Sequence, residues 1–449
     1  MEFTRLLLPL VLALGLTAEA RVRIPARPSP SPDSSGSDFS VTVGGERADV
    51  HQSGLSAYLA FESDGPVELE VRPKRGFGAA TVRPLSAAVG TRTTEGVVAF
   101  RLPGPGQYVL DLDGGERSLL VFVNPWNDFE DDRRVATHAF GPGVHDVGLV
   151  DLRKGESVYL DPGAVVRGGF RLTNGVNDVR ISGYGVIEGR PRAITASCAN
   201  NLRMRGPLVA DAPDWGVWLE NCRGGMIENV KVVGSRKDGS GGLALVDCDV
   251  LTVCDSFVRA RGDALALKGL GLVKGLGMRS ASVSHCVLWS EAARAIGFGP
   301  ESWGADIRDN LFEDCDILHC AVAAVGVRQG GMSAFRRNAF NGLRIEQQPG
   351  TAPFVLSVDN APYPAEGFVS RDPKRPWLPE LGDLSVRGLS VTKGEADPMP
   401  KVRLTSVTNA VRWGMITLSD LRINGRRAGS LAAFACETNA PAVRRLKIR

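Results

Sequence analysis

Beyond residue 140 the chain is built from short segments in which apolar and polar positions alternate. Segments 227–232, 253–258, 283–288 and 312–317 share one pattern, and second segments at 216–219, 242–246, 264–267, 295–298 and 325–327 lie between them. Each pair makes one unit that recurs at roughly 22–31 residues, with Gly, Asn and Asp at the corners. Alternation places every second side chain on one face of a strand, whereas a helix would need apolar residues at three-and-four spacing. Such units cannot bury their apolar side alone, so they must stack. The pattern predicts a parallel β-helix over 126–449, with its last coils around 402–423.

Residues 38–125 follow a different rhythm. Short alternating runs at 55–61, 67–71, 97–102 and 119–123 are split by Gly, Pro and Asp turns. They predict a small antiparallel β-sandwich. Residues 21–37, with their Pro-Ser-Pro-Ser-Pro and Ser-Ser-Gly-Ser runs, read as a linker that cannot bury enough surface to order itself. Ahead of it, Arg5, the apolar run 6–16 and Ala18-Glu19-Ala20 form the three parts of a signal peptide over 1–20. That run is too short for a hydrocarbon core of about 30 Å, so no membrane anchor is expected and the mature protein should be secreted or periplasmic.

Composition narrows the function classes. Of 449 residues, 43% are hydrophobic and 23% charged, enough to build a core and to exclude wholesale disorder. A formal charge of +3 is too small to suggest nucleic acid as a partner. Eight cysteines in an exported chain raise the question of disulfides. Cys222 and Cys248, and then Cys286 and Cys315, fall at equivalent repeat positions, which favours stacked small hydrophobes over bridges. No Cys-x-x-Cys pair or His–Cys cluster occurs, so neither a metal site nor a cofactor is expected.

Three stretches carry a resemblance. Residues 158–169 and 179–189 resemble the opening coils of polygalacturonase-like right-handed β-helix glycosidases (glycoside hydrolase family 28, pectin lyase-like fold), and Pro213-Asp214-Trp215 is similar to that family's Pro-x-Trp element. The preceding sandwich is similar to the dextranase and isopullulanase relatives. The resemblance spans about 38–449 and implies an all-β fold: a right-handed parallel β-helix preceded by a small antiparallel sandwich. The family's catalytic motifs are only partly kept. Its Gly-Asp-Asp stands here as Gly262-Asp263-Ala264, its Asn-Thr-Asp as Ser240-Gly241-Gly242, its Gly-His-Gly as Arg294-Ala295-Ile296, and its Arg-x-Lys as Arg328-Gln329-Gly330.

The resemblance implies an inverting hydrolase of polysaccharide O-glycosyl bonds with Asp263 as general acid. Such chemistry needs a second carboxylate about 6.5–9.5 Å away to activate water. Strands about 4.8 Å apart can supply it from a neighbouring coil. Asp238 and Glu301 are the candidates for that base. Lys268, Arg294 and Arg328 fall on successive coils and suggest a cationic stripe for an acidic sugar chain. Trp215, Trp218, Trp289 and Trp303 could stack on sugar rings or fill the core. Two other readings stay open: a degenerate β-helix that binds a glycan without cutting it, and a polysaccharide lyase using Lys268 or Arg294 as base. In each case the partner is a polysaccharide or oligosaccharide, and the protein is expected to be a monomer.

Overall fold

The computed structural model describes residues 20–26, 37–115, 117–127, 129–173, 175–271, 277–299, 301–302, 306–329, 334–360, 380–406, 411–439 and 445–449. The signal-peptide reading, apart from Ala20, and Trp303 lie outside the described residues.

Residues up to Pro125 form two stacked sheets. One holds Val22–Arg23, His51–Gln52, Ala57–Ser63, Ala80–Arg83, Gly106–Leu112 and Arg117–Pro125; the other holds Phe39–Val43, Glu46–Ala48, Val67–Pro73, Thr91–Thr94 and Val97–Leu102. Strict alternation drives the pairing. Val67, Leu69 and Val71 are buried while Glu68, Glu70 and Arg72 are exposed, so this strand covers a core with one face only. Two expectations need correction. The segment 21–37 is not linker throughout, because Val22–Arg23 pairs antiparallel with Ser63 and Glu62, and Arg23 reaches the buried Glu62 carboxylate. The sandwich is not wholly antiparallel either, since Ala57–Ser63 and Arg117–Pro125 run parallel.

A six-residue helix, Glu130–Val135, leads into a parallel β-helix that continues to Leu446–Ile448. Its coils have three faces. The first face holds strands such as Arg223–Glu228, Thr252–Cys254 and Ser282–Ser284. The second holds Lys231–Val233, Phe257–Ala260 and Val287–Ser290, and the third Gly241–Val246, Leu265–Lys268, Arg294–Phe298, Ala323–Arg328 and Phe354–Asn360. Between the first and second faces each coil turns on one left-handed residue, with φ 52° at Asn229, 50° at Asp255, 52° at His285 and 50° at Asp314. Asn and Asp tolerate that conformation better than most side chains, which accounts for the corner composition.

Stacking makes one continuous core. Leu243, Leu265, Ile296, Val325 and Leu356 sit in register on successive coils, all at 2% exposure or less. The sandwich lies on the second face, where Tyr58, Val109, Leu120 and Phe122 pack on Val233, Phe257, Val287 and Trp289. Among the described residues this apolar contact is made on the second face, whereas the third face carries Asp263, Lys268, Arg294 and Arg328.

Candidate functional site

On the third face the side chains that point away from the core line up in columns. The middle column is Ala244, Ala266, Gly297, Gly326 and Ser357, five small residues in strict register. They leave room for the longer side chains of the flanking columns to lie across them. Asp263 and Arg294 lie on one side, where the strands begin, and Lys268, Arg328 and Asp359 lie on the other, where they end.

The glycines are glycines because charged side chains lie across them. A Cβ on Gly297 would stand 2.4 Å from Asp263 Oδ2, one on Gly299 2.6 Å from Glu301 Oε2, and one on Gly326 2.4 Å from Arg294 Cδ. Asp263 and Arg294 therefore lie flat over the next coil, while Glu301 folds back over Gly299 of its own coil. The Arg294 guanidinium is their hub. Burial opposes its charge, but Asp263, then Glu301, then Asp359 more than offset this and hold its pKa above the ordinary arginine value.

Asp263 is on this face, but not as a free acid. Arg294 donates Nε to Oδ1 at 2.9 Å and NH2 to Oδ2 at 2.8 Å, and the Arg294 backbone N–H adds a third bond to Oδ1 at 3.1 Å. These three donors reach a side chain that is only 8% exposed. To act as the general acid that the resemblance implies, Asp263 would have to leave this bidentate pair with Arg294.

Asp238 is not brought to this cluster. Its side chain is 90% exposed and pairs with Arg261 Nε at 3.0 Å, so it is not positioned as the base. Glu301 is brought in, with Oε2 buried and 3.5 Å from Lys268 Nζ. The cationic stripe is also corrected. Arg294 stands in a different column from Lys268 and Arg328, and each cation faces a carboxylate: Asp263, Glu301 and, at 4.0 Å, Asp359. Paired cations offer little net attraction to an acidic chain.

The tryptophans divide. Trp289 is buried under the sandwich at 1% exposure and cannot meet a sugar. The Trp215 ring covers Gly241, where a Cβ would lie 2.4 Å from the indole. Trp218 lies between Arg192, 4.1 Å from its ring centre, and Lys268, 5.6 Å away on its ring. Trp218 also lines a cleft of about 430 Å³ together with Arg171, Arg192, Thr195, Ser197 and Glu220. Among the described residues, no three His, Cys, Asp or Glu side chains cluster to hold a metal ion.

Sequence reasoning missed Asp359. Its signal was the repeat itself: Arg328 pairs in register with Asp359 on the next coil, one coil past the last segment picked out by alternation.

No family model matches this chain. Isopullulanase from Aspergillus niger is 26% identical over 358 residues, which is 69% of this chain and 59% of that protein, so the chain spans about three fifths of this relative. Among solved structures, Dex49A from Penicillium minioluteum superposes with a TM-score of 0.68 at 13% identity, covering 95% of this chain and 96% of that one. A family 28 exopolygalacturonase from Yersinia enterocolitica aligns at TM-score 0.46 and 11% identity, over 84% of this chain and 91% of its own. The chain shares the Dex49A fold. That shared fold takes in the sandwich as well as the coils.

Proposed function

We propose that the protein is an exported, inverting glycoside hydrolase that lays a polysaccharide along the third face, across Gly297 and Gly326. The observation that carries this reading is the convergence of Asp263, Glu301 and Asp359 around Arg294 above Gly297 and Gly326. Isopullulanase supports the class, and its name makes pullulan the first polymer to try. In this reading Asp263, held by Arg294, stands beside the carbon that becomes positive. Glu301 is the base that takes a proton from water.

An uncharged polysaccharide suits this face better than an acidic one, because Lys268, Arg294 and Arg328 are matched by carboxylates. The same pairing disfavours a lyase, which needs a cationic side chain free to act as base.

A second reading, glycan binding without cleavage, is favoured by one observation: the Trp215 ring fills the space over Gly241. One screen separates all three. Purified protein is incubated with pullulan, dextran and polygalacturonate while reducing ends and ultraviolet absorbance are followed, and NMR reads the anomer first released. Reducing ends without absorbance, and an inverted anomer, are expected. Absorbance would establish a lyase; binding with no new ends would establish the non-cleaving reading. On the cleaved polymer, Glu301→Gln should lower kcat by about 10²–10⁴-fold.

A further inference from the structure

The roles given so far to Asp263 and Glu301 do not explain where the leaving oxygen finds its proton. Asp263 is committed to three donors on Arg294. Glu301 Oε2 is also buried without a hydrogen-bond donor, but Lys268 Nζ stands 3.5 Å from it and offsets its charge. Asp359 is farther from its cation. It stands in the outward column of Phe354–Asn360, in register with Arg328 on the preceding coil. Its side chain is 17% exposed, so it is sheltered but reachable. Its Oδ1 is buried and meets no hydrogen-bond donor among the described residues; the nearest cation, Arg328 Nε, is 4.0 Å away, beyond hydrogen-bonding distance.

A buried carboxylate oxygen without a donor is costly when charged and far less so when it carries a proton. We propose that Asp359 is the proton donor of this face, protonating the glycosidic oxygen of the bound polysaccharide. This rests on the hydrolase reading. Burial supports it further by holding the Asp359 carboxyl above its ordinary range, against the opposing pull of Arg328, Arg403 and Arg294, the charged groups that face it. Spacing is favourable too. Glu301 Oε2 lies over Gly299, and Gly299 stands two coils from Asp359 in the same column, about 9–10 Å by strand spacing before either side chain leans inward. Inverting pairs stand about 6.5–9.5 Å apart.

The step balances. The Asp359 proton passes to the glycosidic oxygen as its bond to the anomeric carbon breaks, and the leaving sugar departs as an alcohol. Water oxygen bonds to that carbon from the opposite side while its proton goes to Glu301. The products are one new reducing end, an Asp359 carboxylate and a Glu301 carboxylic acid, which exchange a proton through solvent.

The test compares wild type and Asp359→Asn on two substrates: the polymer cleaved in the screen above, and the 2,4-dinitrophenyl glycoside of its sugar, whose leaving group needs no proton. The variant should lose about 10²–10⁴-fold in kcat on the polymer and less than tenfold on the aryl glycoside. In wild type, kcat/KM on the polymer should decline on the alkaline side, and this limb should vanish for the aryl glycoside. Equal losses on both substrates, or full activity on the polymer, would overturn the assignment while leaving the hydrolase reading intact. A wild type that cleaves no polymer removes both. If Asp359→Asn does not fold, Asp359→Glu, which keeps a proton to give, and the wild-type pH profiles decide the matter: an alkaline limb shared by both substrates would reject it.

Discussion

The site depends on absent side chains as much as on present ones. Gly297 is the clearest case, because any Cβ there meets Asp263 Oδ2 at 2.4 Å, and Asp263 cannot retreat while Arg294 holds it. Gly297→Ala should therefore displace the pair, costing about 1–3 kcal/mol of stability and most of the activity, as denaturant melts and rate assays would report together. Arg294→Ala should cost more. It leaves Asp263 buried at 8% exposure without its guanidinium, a loss on the order of 3–5 kcal/mol. An unchanged denaturation midpoint would show that the pair contributes nothing. At this scale the sequence was only partly legible. Asp263 and Glu301 stood out by motif and position, but whether a carboxylate is clamped or free depends on which side chain lies across it from the next coil. Nothing in Gly262-Asp263-Ala264 reveals that Arg294, thirty-one residues later, returns to bind it.

The coil was far more legible, since its period comes from the same steric rule at every turn. Corners need one residue at positive φ, and the chain supplies Asn229, Asp255 and Asp314; His285, at φ 52°, departs from that preference. Its side chain is exposed, so a substitution there reports the backbone alone. His285→Val should cost about 1–2 kcal/mol, whereas His285→Gly should be neutral or slightly stabilising, as thermal melts would show. The cysteines follow the same stacking. Cys222 and Cys248 meet across adjacent coils: a hydrogen bond with Cys248 holds the Cys222 thiol below its usual pKa, and burial pushes Cys248 well above it. Cys286 is raised by its hydrogen bond with Cys315 and by burial. All eight cysteines are free thiols, so alkylating the denatured, unreduced protein should label eight sulfurs. Labelling of none would establish bridges in their place.

At the scale of the whole molecule, the sandwich decides which face of the coil is open, and this the sequence could not show. Alternation marks both sides of the second-face strands as apolar but not what covers the outer side. That cover includes a polar element that should respond to pH. His319 stacks on Trp289 with ring centres 5.5 Å apart, Arg259 lies 4.1 Å from the other ring system's centre, and the His319 Nδ1–H donates to the Ser290 carbonyl at 2.6 Å. Burial lowers the His319 pKa, with the Ser290 bond and Glu291 pulling upward and Arg259 adding to the depression. An unfolded histidine titrates near about 6.5, so the folded chain binds this proton less readily than the unfolded one. The sign follows from that difference. The stability contributed by neutral His319 is complete above the unfolded pKa and is lost as pH falls through the lower folded value. Melting temperature should drop between pH 7 and pH 5, and His319→Gln, which keeps a donor for Ser290 but cannot be charged, should flatten part of that drop. Equal slopes for the two proteins would mean that His319 takes up its proton as easily in the folded contact as in the unfolded chain.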